Sequence, residues 1–202
     1  MTDAELIEAF VGEFTKREAL KLFRQFSLPD GVAPGDVVPL LTEPWHEDAD
    51  KDVDGWATWR PRRVQTPHDA LETLYKVVPG PLPPLYERLI LTYQWAEVDL
   101  GKYRLSSNFP PPLEGLIKVQ KADSVMFRAL SSHRLVQFGK GPGADYDPVC
   151  FDLKKRSADG DCAVIRADHE EILNRERLVV VEVLAGSFRE LIRQTLTAAP
   201  PN

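Results

Sequence analysis

The chain has 202 residues, 43% of them apolar, and 31 acidic against 25 basic side chains, for a formal charge of −6. This length suits one domain, or one domain with a structured extension, and allows a substantial core. The acidic balance argues against a general nucleic-acid binder, and no run of residues is long and apolar enough to cross a bilayer.

The opening MTDAELIEAF has no basic region ahead of its apolar residues, so a cytoplasmic location is expected. Thr2 with Glu5 forms a capping box ahead of Leu6, Ile7, Phe10, Val11 and Phe14, and Thr15 with Glu18 repeats the signal before Ala19, Leu22, Phe23 and Phe26. The pattern predicts two short helices or one bent helix. Prolines at 29, 34, 39 and 44 then prevent a long regular element and suggest a surface connector. Thr66 and Pro67 start a further helix carrying Leu71, Leu74 and Tyr75. Leu82, Leu85, Tyr86, Leu89, Ile90 and Tyr93 follow at the spacing of one helical face, which should lie on a sheet. Pro110 to Pro112 stop any helix, and Ala122, Val125, Met126, Ala129 and Leu130 restore helical spacing.

Strand signals dominate the last third. Val149, Phe151 and Leu153 alternate with Cys150 and Asp152, as in a half-buried strand. The run Leu178 to Leu184 is almost wholly apolar and β-branched, which predicts a strand covered on both faces, with a buried helix as the alternative. Ser187 and Glu190 form a capping box before Phe188, Leu191, Ile192 and Leu196, so a helix closes the chain. Helices first and strands later give an α+β domain, mainly an antiparallel sheet with helices packed on it. Residues 61–202 would form this domain, and residues 1–60 a helical and proline-rich extension docked against it.

Few constellations carry chemistry. Asp50, Asp52, Asp54 and Gly55 match the start of a calcium loop, but its twelfth position, which needs a bidentate glutamate, is Pro61. A solvated acidic loop is the simpler expectation. Asp168, His169, Glu170 and Glu171 are adjacent in sequence, and adjacent side chains in a strand or turn cannot all converge on one ion; one of them should bond to backbone near a strand end. Gly139, Gly141 and Gly143 lack the G-K-[ST] of a phosphate loop, and a turn in which glycines supply positive φ accounts for them. Cys150 and Cys162 have no CxxC spacing and are read as reduced core thiols. His46, His68 and His133 are scattered, and no nucleophile, base and orienting group can be assembled. No catalytic residue, cofactor or metal is therefore expected.

The ordered combination of Leu82-Pro83-Pro84 and its helix, Phe138-Gly139, Asp147 to Asp152, Asp168 to Glu171, and Ala185 to Phe188 resembles the SUKH superfamily, which includes fungal cell-wall assembly regulators of the Smi/Knr type and many bacterial immunity proteins. The resemblance spans residues 64 to 197 and implies the same α+β architecture. It implies a non-catalytic protein-binding module, most specifically an immunity protein that neutralises a toxin domain, such as a nuclease, by direct binding. A regulatory or scaffold protein is the alternative, and a hydrolase using Asp168 to Glu171 ranks below both. Asp145, Tyr146 and Asp147 make an acidic and aromatic turn suited to a basic toxin groove, with a simple polar hairpin as the alternative. Trp56 and Trp59, beside Arg60, Arg62 and Arg63, are further candidate partner contacts, although core packing is the commoner use of tryptophan.

Overall fold

A computed structural model describes residues 1–15, 21–23, 56–58, 61–95, 97–108 and 113–198. The elements in chain order are α1 (Asp3–Thr15), β1 (Lys21–Phe23), β2 (Trp56–Thr58), β3 (Arg62–Arg63), α2 (Ala70–Tyr75), α3 (Pro84–Thr92), β4 (Tyr93–Gln94), β5 (Val98–Asp99), β6 (Arg104–Leu105), α4 (Glu114–Lys121), α5 (Ser124–Ser132), β7 (Leu135–Lys140), β8 (Pro148–Arg156), β9 (Cys162–Ala167), α6 (His169–Arg175), β10 (Val180–Ala185) and α7 (Phe188–Thr197). A six-stranded sheet in the order β10-β9-β8-β7-β6-β5 is antiparallel throughout, and two-stranded ladders join β1 to β2 and β3 to β4. The fold is α+β, with helices packed on a mainly antiparallel sheet.

Strand alternation sorts the sheet into two faces. Val136, Phe138, Val149, Phe151 and Val164 join α1, α3 and α7 in the larger core, where Phe138 stacks on Phe151 at 4.1 Å and Tyr86 and Phe188 meet both rings. Burying each such ring contributes roughly 1.5–3 kcal/mol. The opposite face carries a smaller cluster in which Leu135, Cys150, Ile165 and Ala167 pack under Leu130 of α5 and Ile172 of α6. Cys150 and Cys162 are free and buried, and burial raises both thiol pKa values, that of Cys162 to about 11.

Local chemistry places the helix ends. Thr2 and Glu5 cap α1 reciprocally, the backbone N–H of Thr2 donating to Glu5 Oε2 at 2.6 Å and that of Glu5 to Thr2 Oγ1 at 3.3 Å. Ser187 Oγ accepts from the N–H of Glu190 at 3.0 Å, while the Glu190 carboxylate reaches back to the N–H of Gly186 at 2.7 Å. The amphipathic face of α3, Leu85, Tyr86, Leu89 and Ile90, is buried as its spacing requires, and Leu82 before the helix and Tyr93 after it are buried too.

Several expectations about the elements change. Lys21–Phe23 is a strand paired with Trp56–Thr58, where helical spacing was predicted; the adjacent apolar pair Leu22 and Phe23 fits either period, and pairing decides. The helix expected from Thr66 begins at Ala70 after a turn. Before the helix around Met126 stands a separate α4, and the carboxylate of Asp123 starts α5 by accepting the N–H groups of Val125 and Met126. The strand predicted to be covered on both faces, β10, is an edge strand with Val180 to Val183 exposed. Apolar content marks a strand, but its position in the sheet sets its burial.

Candidate functional site

The turn from Gly141 to Asp147, between β7 and β8, is held from several directions. The N–H of Gly141 donates to Asp147 O at 2.8 Å, and the N–H of Asp147 donates to Asp145 Oδ1 at 2.8 Å, an Asx turn. Arg104 of β6 adds two bonds, from Nε to Gly141 O at 3.0 Å and from Nη2 to Asp145 O at 2.8 Å. The glycines fit this packing. A Cβ on Gly139 would lie 2.4 Å from Arg104 O, and one on Gly141 would lie 2.2 Å from Asp145 Oδ2. Of these three glycines only Gly143 has positive φ, at 58°. Close approach, rather than backbone handedness, thus explains the other two.

Both turn carboxylates are turned inward. Asp145 Oδ2 accepts from Arg166 Nη1 at 3.0 Å, and Arg166 Nη2 lies 3.4 Å from Glu182 Oε2, so one guanidinium ties the turn to β10 across β9. Asp147 Oδ1 accepts from the backbone N–H of His169 at 3.0 Å and lies 2.8 Å from its Nδ1. That hydrogen bond raises the His169 pKa above its ordinary value, against a smaller opposing effect of burial. Asp168 caps α6 by accepting the N–H of Glu171 at 3.0 Å, and Glu171 holds Arg175 and Arg177. The DHEE segment is therefore a helix start.

Tyr146 stands apart from this bracing with 61% of its surface exposed. Its ring has the Arg104 guanidinium carbon at 5.8 Å and Lys140 Nζ at 5.9 Å, within cation-π range, and the His169 ring at 6.3 Å. Glu97 lies 3.4 Å from Arg104 and 3.6 Å from Lys140, so both cations are also paired. The result is an aromatic side chain presented to solvent on a cross-braced loop.

Donor atoms of Asp145, Asp147 and His169 lie within 4.8 Å of one another. These groups already have internal partners, with Arg166 supplying a positive charge to Asp145 and the imidazole bonding to Asp147. Of the residues expected at the site, the structure brings Asp145, Tyr146 and Asp147 together. Trp56 lies on β2, in a different sheet, and Trp59 lies outside the described residues, as do Trp45 and the Asp50 to Gly55 loop. Sequence reasoning missed Arg104, Arg166 and His169 as braces. An arginine two residues after buried Val164 on the same strand face was the available signal, because such a residue needs a carboxylate.

No protein-family model, curated protein or solved structure matches this chain. Among the described residues, no helix is long and apolar enough to cross a membrane.

Proposed function

We propose that this chain is a non-catalytic protein-binding module of the SUKH immunity type, acting in the cytoplasm to neutralise a basic toxin domain by covering its working surface. The observation that carries this reading is Tyr146, an exposed aromatic on a turn whose carboxylates and backbone are fixed by Arg104, Arg166 and His169. Preorganised aromatic anchors contribute most of the energy at many interfaces, because little side-chain freedom remains to be lost on binding. The segments that carry the SUKH resemblance support it further, since they occupy α3, β7, β8, the start of α6 and the start of α7 within one unit. The net charge of −6 favours encounter with a basic partner.

The test is affinity capture from the native host with wild type and Tyr146→Ala, followed by inhibition assays on the retained protein. One toxin-like protein held by the wild type and at least about tenfold more weakly by the variant is the expected result. Several housekeeping proteins retained equally by both would overturn the reading in favour of a scaffold.

A further inference from the structure

Most arginines among the described residues are held: Arg104 and Arg156 bond carbonyl oxygens, and Arg166, Arg175, Arg177 and Arg189 bond carboxylates. Arg88, exposed on α3, makes no hydrogen bond or ion pair among the described residues, yet it lines two adjoining cavities. The first, of about 150 Å³, lies between α1, β3 and α3, and its walls include Ile7, Glu8, Arg63, Arg88, Thr92 and Tyr93. The second, of about 280 Å³, shares Arg88 and Thr92 and adds His68, Pro84, Glu87 and Leu91. Backbone pairing fixes this arrangement. Arg63 stands opposite Tyr93 in the β3–β4 ladder, and the N–H of Val64 donates to Thr92 O at 2.7 Å. Arg88 and Thr92 are one helical turn apart and share a face of α3. The Thr92 hydroxyl has no hydrogen-bond partner among the described residues.

We propose that these cavities bind a phosphomonoester, its phosphoryl group on Arg63, Arg88 and Thr92 and its organic part over Pro84 and Leu91 beside His68. The site goes beyond the protein-binding reading and does not depend on it. Charge selects the ligand, because the carboxylates nearby are engaged elsewhere or only weakly. Glu87 accepts from the Tyr75 hydroxyl, and Asp3, whose pKa Arg88 helps to lower, is held by Arg189 at 2.7 Å. Glu8 meets Arg63 at 3.6 Å with both side chains largely exposed, a pair that contributes little and yields to a more highly charged anion. A phosphoryl group brings nearly two charges and three acceptor oxygens, enough for two guanidinium forks and a hydroxyl, whereas one fork saturates a carboxylate. The second cavity has apolar walls that phosphate alone would leave uncovered.

The experiment titrates phenyl phosphate, inorganic phosphate and benzoate into the full chain by calorimetry at about pH 8, where the phosphoryl group is dianionic. Expected is saturable binding of phenyl phosphate, about tenfold tighter than that of inorganic phosphate or benzoate. Arg88→Gln should weaken it at least about tenfold, and Glu8→Gln should tighten it by freeing Arg63. Arg128→Gln removes the same charge from α5, on the opposite face of the sheet, and should leave affinity within about twofold. Glu8, Arg88 and Arg128 are all exposed, and thermal melting checks that each variant folds. Equal affinity for inorganic phosphate overturns the ester in favour of free phosphate, and equal affinity for benzoate overturns phosphoryl recognition. Absence of saturable binding, or equal losses in Arg88→Gln and Arg128→Gln, overturns the site.

Discussion

Asp147 Oδ1 receives His169 twice, through the backbone N–H at 3.0 Å and through the ring Nδ1 at 2.8 Å, which pins the start of α6 to the β7–β8 turn. The ring bond favours imidazolium, so the folded pKa of His169 lies above its ordinary value of 6.5. With the folded value above the unfolded one, the added stability is fully present below the unfolded pKa and is lost as pH rises through the folded pKa. Asp147→Asn is therefore expected to cost more stability at about pH 5.5 than at about pH 8.5, measured by urea denaturation at both. An equal cost would show that the backbone N–H alone carries the contact.

Asp161, buried at the start of β9, accepts the N–H of Cys162 at 2.8 Å and those of Phe188 and Arg189 at 3.0 and 3.1 Å. One carboxylate thus caps the first turn of α7, where the helix dipole favours negative charge. Asp161→Ala leaves these donors without that acceptor and is expected to cost about 2–4 kcal/mol in chemical denaturation. Asp161→Asn should recover part of the loss, because its amide oxygen accepts without supplying the charge. A cost of less than about 0.5 kcal/mol for the alanine variant would count against the cap.

The two close-packed glycines should respond differently to alanine. At Gly139 the new methyl meets backbone, Arg104 O at 2.4 Å, so β6 must move and a loss of about 1–3 kcal/mol is expected in thermal or urea denaturation. At Gly141 it meets the Asp145 side chain at 2.2 Å, which can yield only by leaving Arg166. Gly141→Ala and Asp145→Ala should therefore be non-additive in a double-mutant cycle. Additivity would mean that Asp145 relaxes without releasing the guanidinium.

The elements that were legible in sequence are those whose periodicity alone fixes a face. Leu85 to Ile90 on α3 and the Ser187 cap are decided within a few residues, and each forms as its pattern requires; Val149 to Leu153 is the strand its alternation predicts, but it is buried on both faces, Cys150 and Asp152 included, rather than half-buried. Burial of β10 was not legible, because Val180 to Val183 would read the same in a central strand as at the edge. For the candidate site, the composition of the turn was visible, but the direction of its charges was not. Asp145 and Arg166 are 21 residues apart in sequence, and only pairing of β8 with β9 brings them together. Asp168 and Glu171 have the spacing of a helix cap, a reading that would have placed His169 at a helix start.

The N-terminal helix offers the last test. Phe10 and Phe14 are fully buried; Phe10 meets Phe188 edge-on at 6.3 Å, and Phe14 meets Trp95 at 6.0 Å. Asp3 adds a bond from Arg189 at 2.7 Å, which lowers its carboxyl pKa, but this partly exposed pair should contribute no more than about 1 kcal/mol. Ring burial therefore dominates, and Phe10→Ala is expected to cost about 3–5 kcal/mol, against about 1 kcal/mol or less for Asp3→Asn. Because these rings belong to the same core as α3, α7 and the sheet, the loss should appear as a shift of one cooperative melting transition, by roughly 10 °C for a chain of this size. If Phe10→Ala instead left the main transition in place and produced a separate early one, α1 would be a unit that melts independently of the sheet.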